Sequence, residues 1–246
     1  MFHFFKKTKI PLTNLIPSDY MDMHNHILPG IDDGAKNLEE SVSLIQRMRG
    51  YGIKKFICTP HIMEGVWENT PEIINQKLQE LKTHLNTLGI TDVSVTAAAE
   101  YMIDGNFNIL LKSKKLLTLN GTKVLIELPY FNVPIKLYEI LFNIQIAGYQ
   151  PILAHPERYM YLHNNYAEYK KLKDAGCLFQ LNLLSLSTYY GTRIQAIAIQ
   201  LLKDNLIDGV ASDVHNNRHL NYLENVHKPS IIKLVEPLLN KSILEL

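Results

Sequence analysis

The fold is predicted from a short apolar run that contains a glutamate, Lys123-Val124-Leu125-Ile126-Glu127-Leu128-Pro129. Near-continuous apolar residues of this kind are typical of parallel strands that are covered on both faces. Six similar runs occur along the chain, so seven strands are predicted. They span residues 20–25, 54–59, 93–98, 123–128, 149–154, 177–182 and 207–212.

Helical patterns lie between these strands. Apolar residues recur at helical spacing in five segments, 38–48, 73–88, 137–147, 166–175 and 194–202. Strands that alternate with helices predict an α/β fold with a parallel sheet. Because no linker or repeat interrupts the series, we expect one domain over residues 20–246, a distorted seven-stranded (β/α)7 TIM-like barrel. Residues 1–19 are predicted to be an N-terminal extension.

The composition argues against several classes of protein. A net charge of +1 gives no electrostatic case for binding nucleic acid or an acidic membrane. No stretch approaches the ~20 apolar residues of a membrane span, and in residues 1–7 the aromatic residues precede the lysines, the wrong order for a secretory signal. Cys58 and Cys177 lie in apolar runs, where buried free thiols are expected. We therefore expect a cytoplasmic protein without membrane insertion.

Metal-type ligands stand at six of the seven predicted strand ends. The ends of parallel strands in a barrel meet at one face, so these side chains are expected to lie together. The candidates are His24, His26, His61, Glu100, Glu127, His155, Asp213 and His215, with a carboxylate from the Asp32-Asp33 loop. Each alone is explained equally well as a hydrogen-bonded core residue, a helix cap or a solvated charge. Their joint occurrence at equivalent positions predicts a polynuclear metal site.

Imidazole and carboxylate ligands without a thiolate suit Mn²⁺, Fe²⁺ or Zn²⁺. Nine candidate ligands exceed what a single ion needs, so two or three divalent ions are expected. Such clusters activate water and stabilise both the attacking and the leaving oxygen of a displacement. The chain is therefore predicted to be an enzyme.

Arg158 follows the predicted ligand His155 by three residues. The planar guanidinium fork matches phosphate oxygens, so we predict that Arg158 is a catalytic residue that binds a phosphoryl group. The alternative is a surface salt bridge, for example with Glu157. Arg218 and His219, which follow the last ligand pair, are weaker candidates for substrate binding.

The ordered set of motifs resembles the polymerase-and-histidinol-phosphatase (PHP) family. Within that family the chain looks most like the bacterial capsule-type protein tyrosine phosphatases of the CpsB/YwqE group. The matching pieces are Asp22-Met23-His24-Asn25-His26, Gly30-Ile31-Asp32-Asp33-Gly34, Thr59-Pro60-His61, Ala99-Glu100, Leu125-Ile126-Glu127, Ala154-His155-Pro156-Glu157-Arg158-Tyr159 and Ala211-Ser212-Asp213-Val214-His215-Asn216. No single piece is specific, but the set covers most of the chain.

The resemblance implies a PHP barrel with a trinuclear, commonly manganese-dependent site. The implied ligands are His24, His26 and Asp213 for one ion, Glu100 as the bridge to a second ion completed by Glu127 and His155, and Asp33 (rather than Asp32), His61 and His215 for the third. Arg158 matches the phosphate-binding arginine of the family. Two segments depart from the family pattern, the extension 1–19 and the loop 182–191, and both bear on substrate recognition.

The expected reaction is hydrolysis of phosphotyrosine on a protein by a metal-bridging hydroxide. By resemblance, the protein partner is a bacterial tyrosine autokinase of capsule or exopolysaccharide synthesis. The alternatives are a small-molecule phosphatase, such as histidinol-phosphate phosphatase, and a non-catalytic PHP module. Cysteine-dependent phosphatase chemistry is excluded because it needs an arginine six residues after the nucleophile, where this chain has Glu64 and Leu183.

Overall fold

Short parallel strands form two sheets in the computed structural model, which describes residues 10–246. The strands are β1 Met21–Asp22, β2 Lys55–Cys58, β3 His61–Ile62, β4 Ser94–Ala97, β5 Glu100–Met102, β6 Lys123–Glu127, β7 Gln150–Ala154, β8 Leu178–Asn182 and β9 Gly209–Ala211. One sheet has the order β1-β2-β4 and the other the order β3-β5-β6-β7-β8-β9, with every neighbouring pair parallel. The predicted α/β fold with parallel sheets is confirmed.

Two of the predicted strands are each followed by a second short strand in the other sheet. β2 ends at Cys58 and β3 begins at His61, since Pro60 between them has no N–H to donate to a ladder. β4 and β5 are likewise separated by two residues. Hydrogen bonds continue across these gaps, from the Ala98 N–H to the Cys58 carbonyl (2.8 Å) and from the Glu100 N–H to the Pro60 carbonyl (3.1 Å). The strands therefore pass from one sheet to the other while staying side by side.

The segments that follow β1 and β9 also lie side by side. Asn25 and Val214 form a parallel bridge. The Asp213 N–H donates to the His24 carbonyl (2.8 Å), and the His26 N–H donates to the Val214 carbonyl (2.9 Å). Predicted ligands from the first and last strands are thus brought together by the backbone itself.

Helices connect the strands. Within residues 10–246 they are α1 Leu38–Gly50, α2 Pro71–Thr87, α3 Phe107–Ser113, α4 Leu137–Ile146, α5 Met160–His163, α6 Ala167–Asp174, α7 Thr192–Lys203, α8 Asn217–Leu223 and α9 Pro229–Leu239. The five predicted helical patterns are confirmed as α1, α2, α4, α6 and α7. The sequence patterns do not predict the other four, of which three have seven residues or fewer and too few turns to show a period. None of these helices is long and apolar enough to cross a membrane.

Part of the predicted N-terminal extension packs on the core. A 3-10 helix spans Leu12–Leu15, and the fully buried Leu12 donates its N–H to the Val226 carbonyl at 2.7 Å. Ile16 joins the same apolar cluster. The aromatic and lysine residues 1–7, for which we predict a frayed or folded-back tail rather than a surface anchor, lie outside the described residues. The division into an extension and one domain stays a prediction.

Candidate metal centre

All nine predicted ligands come together at one face, with His61 and Glu100 as the first residues of β3 and β5 and Glu127 as the last residue of β6. Their side chains fall into four overlapping groups, and within each group the ligand atoms lie within 4.8 Å of one another. The groups are His24, His26 and Asp213; His24, Glu100 and His155; His61, Glu100 and Glu127; and His26, Asp33, His61 and His215. Seven of the nine residues are buried, and the other two, Asp33 and His215, lie toward the open side.

The tightest part of the cluster joins the first and last strands to Glu100. His24 Nε2 lies 3.3 Å from Glu100 Oε2 and 3.3 Å from Asp213 Oδ1. His26 Nε2 lies 3.5 Å and 3.4 Å from the same two oxygens. Four ligands at about 2.1 Å from one ion, in tetrahedral geometry, lie about 3.4 Å apart. The spacing of these four atoms therefore matches the coordination shell of one ion.

Outer hydrogen bonds fix which nitrogen of each imidazole faces the cluster. His24 Nδ1 lies 2.7 Å from Gln180 Oε1, and His26 Nδ1 lies 2.7 Å from Asp32 Oδ2. Because both oxygens are acceptors, Nδ1 donates in each pair and Nε2 presents its lone pair inward. Asp32 therefore orients a predicted ligand instead of facing the cluster itself.

The charges of this cluster call for a cation. Glu100 Oε2 is buried and accepts no hydrogen bond from any described residue, although imidazole nitrogens surround it. Burial lowers the pKa of His26, but Asp32 and the other carboxylates raise it well above its ordinary value. Burial raises the pKa of Glu100, but His24 and His61 hold it well below its ordinary value. Both shifts show that positive charge is favoured here, so the donor set fits divalent metal ions.

A second group lies on the other side of Glu100. His155 Nε2 is 3.2 Å from Glu100 Oε1 and 3.4 Å from Glu127 Oε1. Tyr130 Oη donates to the same Glu127 oxygen at 2.6 Å. Burial, reinforced by the neighbouring Glu100, raises the pKa of Glu127 to about 7. Glu100 thus presents one oxygen to each group, the arrangement expected of a bridging carboxylate.

The third group is the most open. His61 Nε2 and His215 Nε2 each lie 3.5 Å from Asp33 Oδ1, and the Asp33 side chain is 55% exposed. His215 Nδ1 donates to the Asp213 carbonyl at 2.9 Å, which leaves its Nε2 for the cluster. His61 Nδ1 lies 3.1 Å from Glu100 Oε2, so this ring faces two groups at once.

Two predicted ligands have backbone conformations that are uncommon for residues other than glycine. His155 has φ +34° and Asp213 has φ +49°. Positive φ at such residues is found preferentially at functional sites. His155 directly follows β7 and is followed by a 3-10 helix, Pro156–Arg158, whereas Asp213 lies two residues after the end of β9.

Arg158 lies beside the cluster between two aromatic rings. Its guanidinium carbon is 5.0 Å from the centroid of the Tyr130 ring and 4.4 Å from that of the Tyr190 ring. We call these two residues the tyrosine clamp. Arg158 Nη1 donates to Asp213 Oδ2 at 3.1 Å, and the guanidinium makes no other hydrogen bond to the described residues. Its remaining N–H groups are therefore free to bind an anion.

The end of β8, for which no ligand is predicted, contacts both the cluster and the tyrosine clamp. Asn182 Nδ2, at the end of β8, donates to Asp213 Oδ2 at 2.6 Å and to Tyr190 Oη at 3.4 Å. Asn182 Oδ1 accepts from the Leu184 N–H at 2.7 Å. Sequence reasoning missed Asn182 and the tyrosine clamp; the one signal was the position of Asn182 at an equivalent strand end.

The two weaker predicted substrate-binding residues lie next to the cluster instead of within it. His219 is buried, with Nε2 3.1 Å from Tyr189 Oη; burial, and then the neighbouring His215, lowers its pKa to about 4. Arg218 is exposed and lines an open cavity of about 410 Å³ together with Asp33. Of the two, Arg218 is therefore the more accessible, and its role in substrate binding stays a prediction.

A parallel α/β fold with imidazoles and carboxylates gathered at its strand ends is typical of metal-dependent hydrolases. Residues 20–226 match the family described as capsular polysaccharide synthesis, CpsB/CapC. The chain therefore belongs to the CpsB/CapC family.

Relatives of known name support this assignment. The chain is 34% identical to tyrosine-protein phosphatase YwqE of Bacillus subtilis (strain 168) over 203 residues, 82% of this chain and 80% of the relative. It is 33% identical to tyrosine-protein phosphatase CpsB of Streptococcus agalactiae over 202 residues, 80% of this chain and 83% of the relative.

Solved structures share the fold. One chain from the crystal structures of Bacillus subtilis YwqE and Streptococcus pneumoniae CpsB, described as unique metal-dependent tyrosine phosphatases, superposes with a TM-score of 0.78 and 31% identity, covering 91% of this chain and 89% of that one. The lactonase Lmo2620 of Listeria monocytogenes has a TM-score of 0.50 and 11% identity, with 92% and 88% coverage, a likeness of fold alone.

Proposed function

We propose that this chain is a metal-dependent protein tyrosine phosphatase. The observation that carries the proposal is the position of Arg158, whose free guanidinium donors lie beside a buried cluster of carboxylates and imidazoles. An arginine next to such a cluster suits a substrate with a phosphoryl group. The names of the relatives point to phosphotyrosine as that substrate.

We propose that two or three divalent ions occupy the cluster, with Mn²⁺ favoured and iron or zinc as alternatives. His24, His26 and Asp213 would hold one ion, Glu127 and His155 another, with Glu100 between them, and Asp33, His61 and His215 a third. Bound there, the ions would activate a water molecule as nucleophile and neutralise charge on the phosphoryl oxygens. The buried Glu100 oxygen that lacks a donor supports this placement.

The chain itself contributes the orientation of the phosphoryl group. Arg158 can bind two phosphoryl oxygens with its fork, and the tyrosine clamp holds the plane of the guanidinium. Two rings restrict the rotation of the side chain, so less entropy is lost when substrate binds. A phenolate leaving group, with a pKa of about 10, needs less protonation than an alkoxide. The hydroxyl of Tyr130 already donates to Glu127 and is not a free acid.

The two sheets form, in our proposal, one closed and distorted barrel of seven strands. The hydrogen bonds between the segments after β1 and β9 support closure. Counting β2 with β3, and β4 with β5, as single bent strands gives the number seven. Such a barrel accounts for the convergence of all nine predicted ligands at one face.

The proposed partner is a tyrosine-phosphorylated protein, specifically a bacterial tyrosine autokinase of capsule or exopolysaccharide synthesis. The description of the family as capsular polysaccharide synthesis supports that setting. A cytoplasmic location is supported by Cys58 and Cys177, which are both buried and free.

The test is turnover by purified protein that has been stripped with a chelator and then reloaded with Mn²⁺. We expect hydrolysis of a phosphotyrosyl peptide only after reloading, at a kcat/KM at least about 100-fold above that for histidinol phosphate. Absence of metal-dependent turnover on either compound would refute the catalytic claim. A preference for histidinol phosphate would refute the choice of substrate.

A further inference from the structure

Six large apolar side chains are exposed in the segment that follows Tyr130. They lie in the loop after β6 and on the outer face of α4, and we call them the apolar ridge. The ridge consists of Phe131 (91% exposed), Val133 (47%), Ile135 (89%), Tyr138 (41%), Phe142 (61%) and Ile146 (71%). Exposed apolar patches of this extent are typical of interaction sites.

The outer face of α4 is not needed for the packing of the domain. Leu137, Ile140, Leu141 and Ile144 form its buried face. Tyr138, Phe142 and Ile146, four residues apart, form a second apolar stripe on the side that faces solvent. The outer face of a surface helix is ordinarily polar, yet the one charged residue of α4 is Glu139, whose carboxylate pairs with Lys136 (3.0 Å). The hydroxyl of Tyr138 donates to Glu168, while Phe142 and Ile146 remain more than half exposed among the described residues.

The ridge is continuous with the proposed catalytic site. Tyr130 contacts both Glu127 and Arg158, and the next residue is Phe131, the most exposed member of the ridge. From there the ridge runs the length of α4, which has ten residues and is therefore about 15 Å long. A molecule that places a phosphoryl group at Arg158 can thus contact the ridge at the same time.

We propose that the apolar ridge docks an apolar segment of the protein substrate near its phosphotyrosine. This inference rests on the proposed function. An extended chain advances about 3.3 Å per residue, so roughly five residues reach from one end of α4 to the other. Phe131 directly follows Tyr130, which contacts Arg158, so a second copy seated on the ridge would compete with a substrate bound at Arg158. A transiently bound substrate avoids that conflict.

The test measures the binding of two fluorescent peptides to the Mn²⁺-loaded full chain by anisotropy. Both peptides carry a non-hydrolysable phosphonate analogue of phosphotyrosine. In one, the five to ten following residues include leucine and phenylalanine, and in the other serine replaces them. The double variant Phe142→Glu, Ile146→Glu is compared with Ile109→Glu, a control on α3 whose side chain is 67% exposed outside the ridge. Turnover of p-nitrophenyl phosphate is measured for every protein.

We expect the wild type and the control to bind the apolar peptide at least about tenfold more tightly than the serine peptide. The double variant should lose this preference and still turn over p-nitrophenyl phosphate at the wild-type rate. Equal dissociation constants for the two peptides, or an unchanged preference in the double variant, would overturn the proposal. So would a wild-type dimer in light scattering that the double variant converts to monomer, since the ridge would then bind a second copy.

The two claims fail in different ways. Absence of metal-dependent p-nitrophenyl phosphate turnover in the wild type contradicts the proposed function, whatever the peptides do. If the wild type shows metal-dependent turnover but binds the two peptides equally, or if the double variant keeps the preference, only the docking of substrate on the ridge is contradicted.

Discussion

The candidate metal centre and the Arg158 pocket are neighbours that are built in different ways. The centre is made from residues at the ends of strands, such as His24 after β1 and Glu100 at the start of β5, and their positions follow from the parallel sheets. The pocket is made from loops, with Tyr130 after β6 and Tyr190 before α7 on either side of the arginine. The side chains of the centre are carboxylates and titratable imidazoles, whereas the pocket carries the permanent positive charge of Arg158.

This difference divides the expected roles. In our proposal, side chains at the strand ends would hold the ions that activate water, and the loops would orient the phosphoryl group. Changes in the centre should therefore remove metal and activity together. Changes in the pocket should lower turnover and leave the metal content intact.

The largest effect is expected for Glu100→Gln, because Glu100 presents one oxygen to each of two ligand groups. The amide keeps the shape of the side chain but removes the negative charge. Turnover of an aryl phosphate should fall at least about 1000-fold, with the loss of at least one ion per chain in elemental analysis. Glu139→Gln, an exposed position on α4, is the control. A Glu100→Gln protein with full metal content and activity would contradict the bridging role.

Arg158→Lys and Arg158→Ala should come next. Lysine keeps the charge but lacks the planar fork, so both variants lose the two-point contact with the phosphoryl group. We expect kcat to fall about 100-fold in Arg158→Lys and further in Arg158→Ala. The metal content should match the wild type. Joint loss of metal and turnover would show that Arg158 belongs to the centre and not to a separate pocket.

Two adjacent aspartates sharpen the comparison within the centre. Asp33 faces His61 and His215, whereas Asp32 is hydrogen-bonded to the outer nitrogen of His26. Asp33→Asn should abolish binding of the most open ion. Asp32→Asn should only weaken metal affinity, by about 10- to 100-fold. Calorimetric titration with Mn²⁺ measures the number of bound ions and their affinity in each variant. A larger loss of binding in Asp32→Asn than in Asp33→Asn would show that the two roles are exchanged.

The tyrosine clamp gives a smaller effect. Tyr190→Leu removes the ring 4.4 Å from the Arg158 guanidinium carbon and should lower kcat about tenfold, as expected for one cation–π contact in a desolvated site. Tyr190→Phe keeps the ring and should retain most of the activity. The metal content is measured as well, because a general structural defect would lower it, whereas loss of the ring contact alone should leave it unchanged. If kcat falls equally in the leucine and phenylalanine variants, the hydroxyl of Tyr190 and not its ring is responsible.

The smallest effect concerns the stability of the metal-free protein. Burial lowers the pKa of His61, but Glu100 raises it to about 9, and burial raises the pKa of Glu127 to about 7. Both groups bind protons more tightly in the folded chain than in the unfolded chain, so the stability that they contribute is lost as pH rises through those values. The unfolding temperature of chelator-treated protein should fall by several degrees from pH 6.5 to 9.

The Mn²⁺-loaded protein is the control for this prediction. Metal binding requires deprotonated ligands, so its unfolding temperature should hold or rise over the same pH range. Differential scanning calorimetry compares the two forms. If the unfolding temperatures of the two forms change with pH in the same way, protons and metal ions do not compete for the same side chains, and the proposed centre is contradicted.

The strands and the convergence of their ends could be predicted because buried parallel strands are apolar runs and their ends meet at one face. The division of this strand into β2 and β3 could not be predicted, because a proline such as Pro60 is compatible either with the end of a strand or with a break inside it. Tyr130 and Tyr190 come together only through loop conformations that leave no periodic signal. The repeat of α4 predicted its buried face, but Phe142 and Ile146 carry no sign of exposure in the sequence.

The most direct test of the metal centre is anomalous X-ray diffraction from crystals grown with Mn²⁺. We predict at least two anomalous peaks on either side of Glu100, each about 2.0–2.3 Å from its ligand atoms. His24, His26 and Asp213 should surround one peak, and Glu127 and His155 another. Crystals that bind Mn²⁺ only elsewhere, or that show no peak among these nine side chains, would contradict the account.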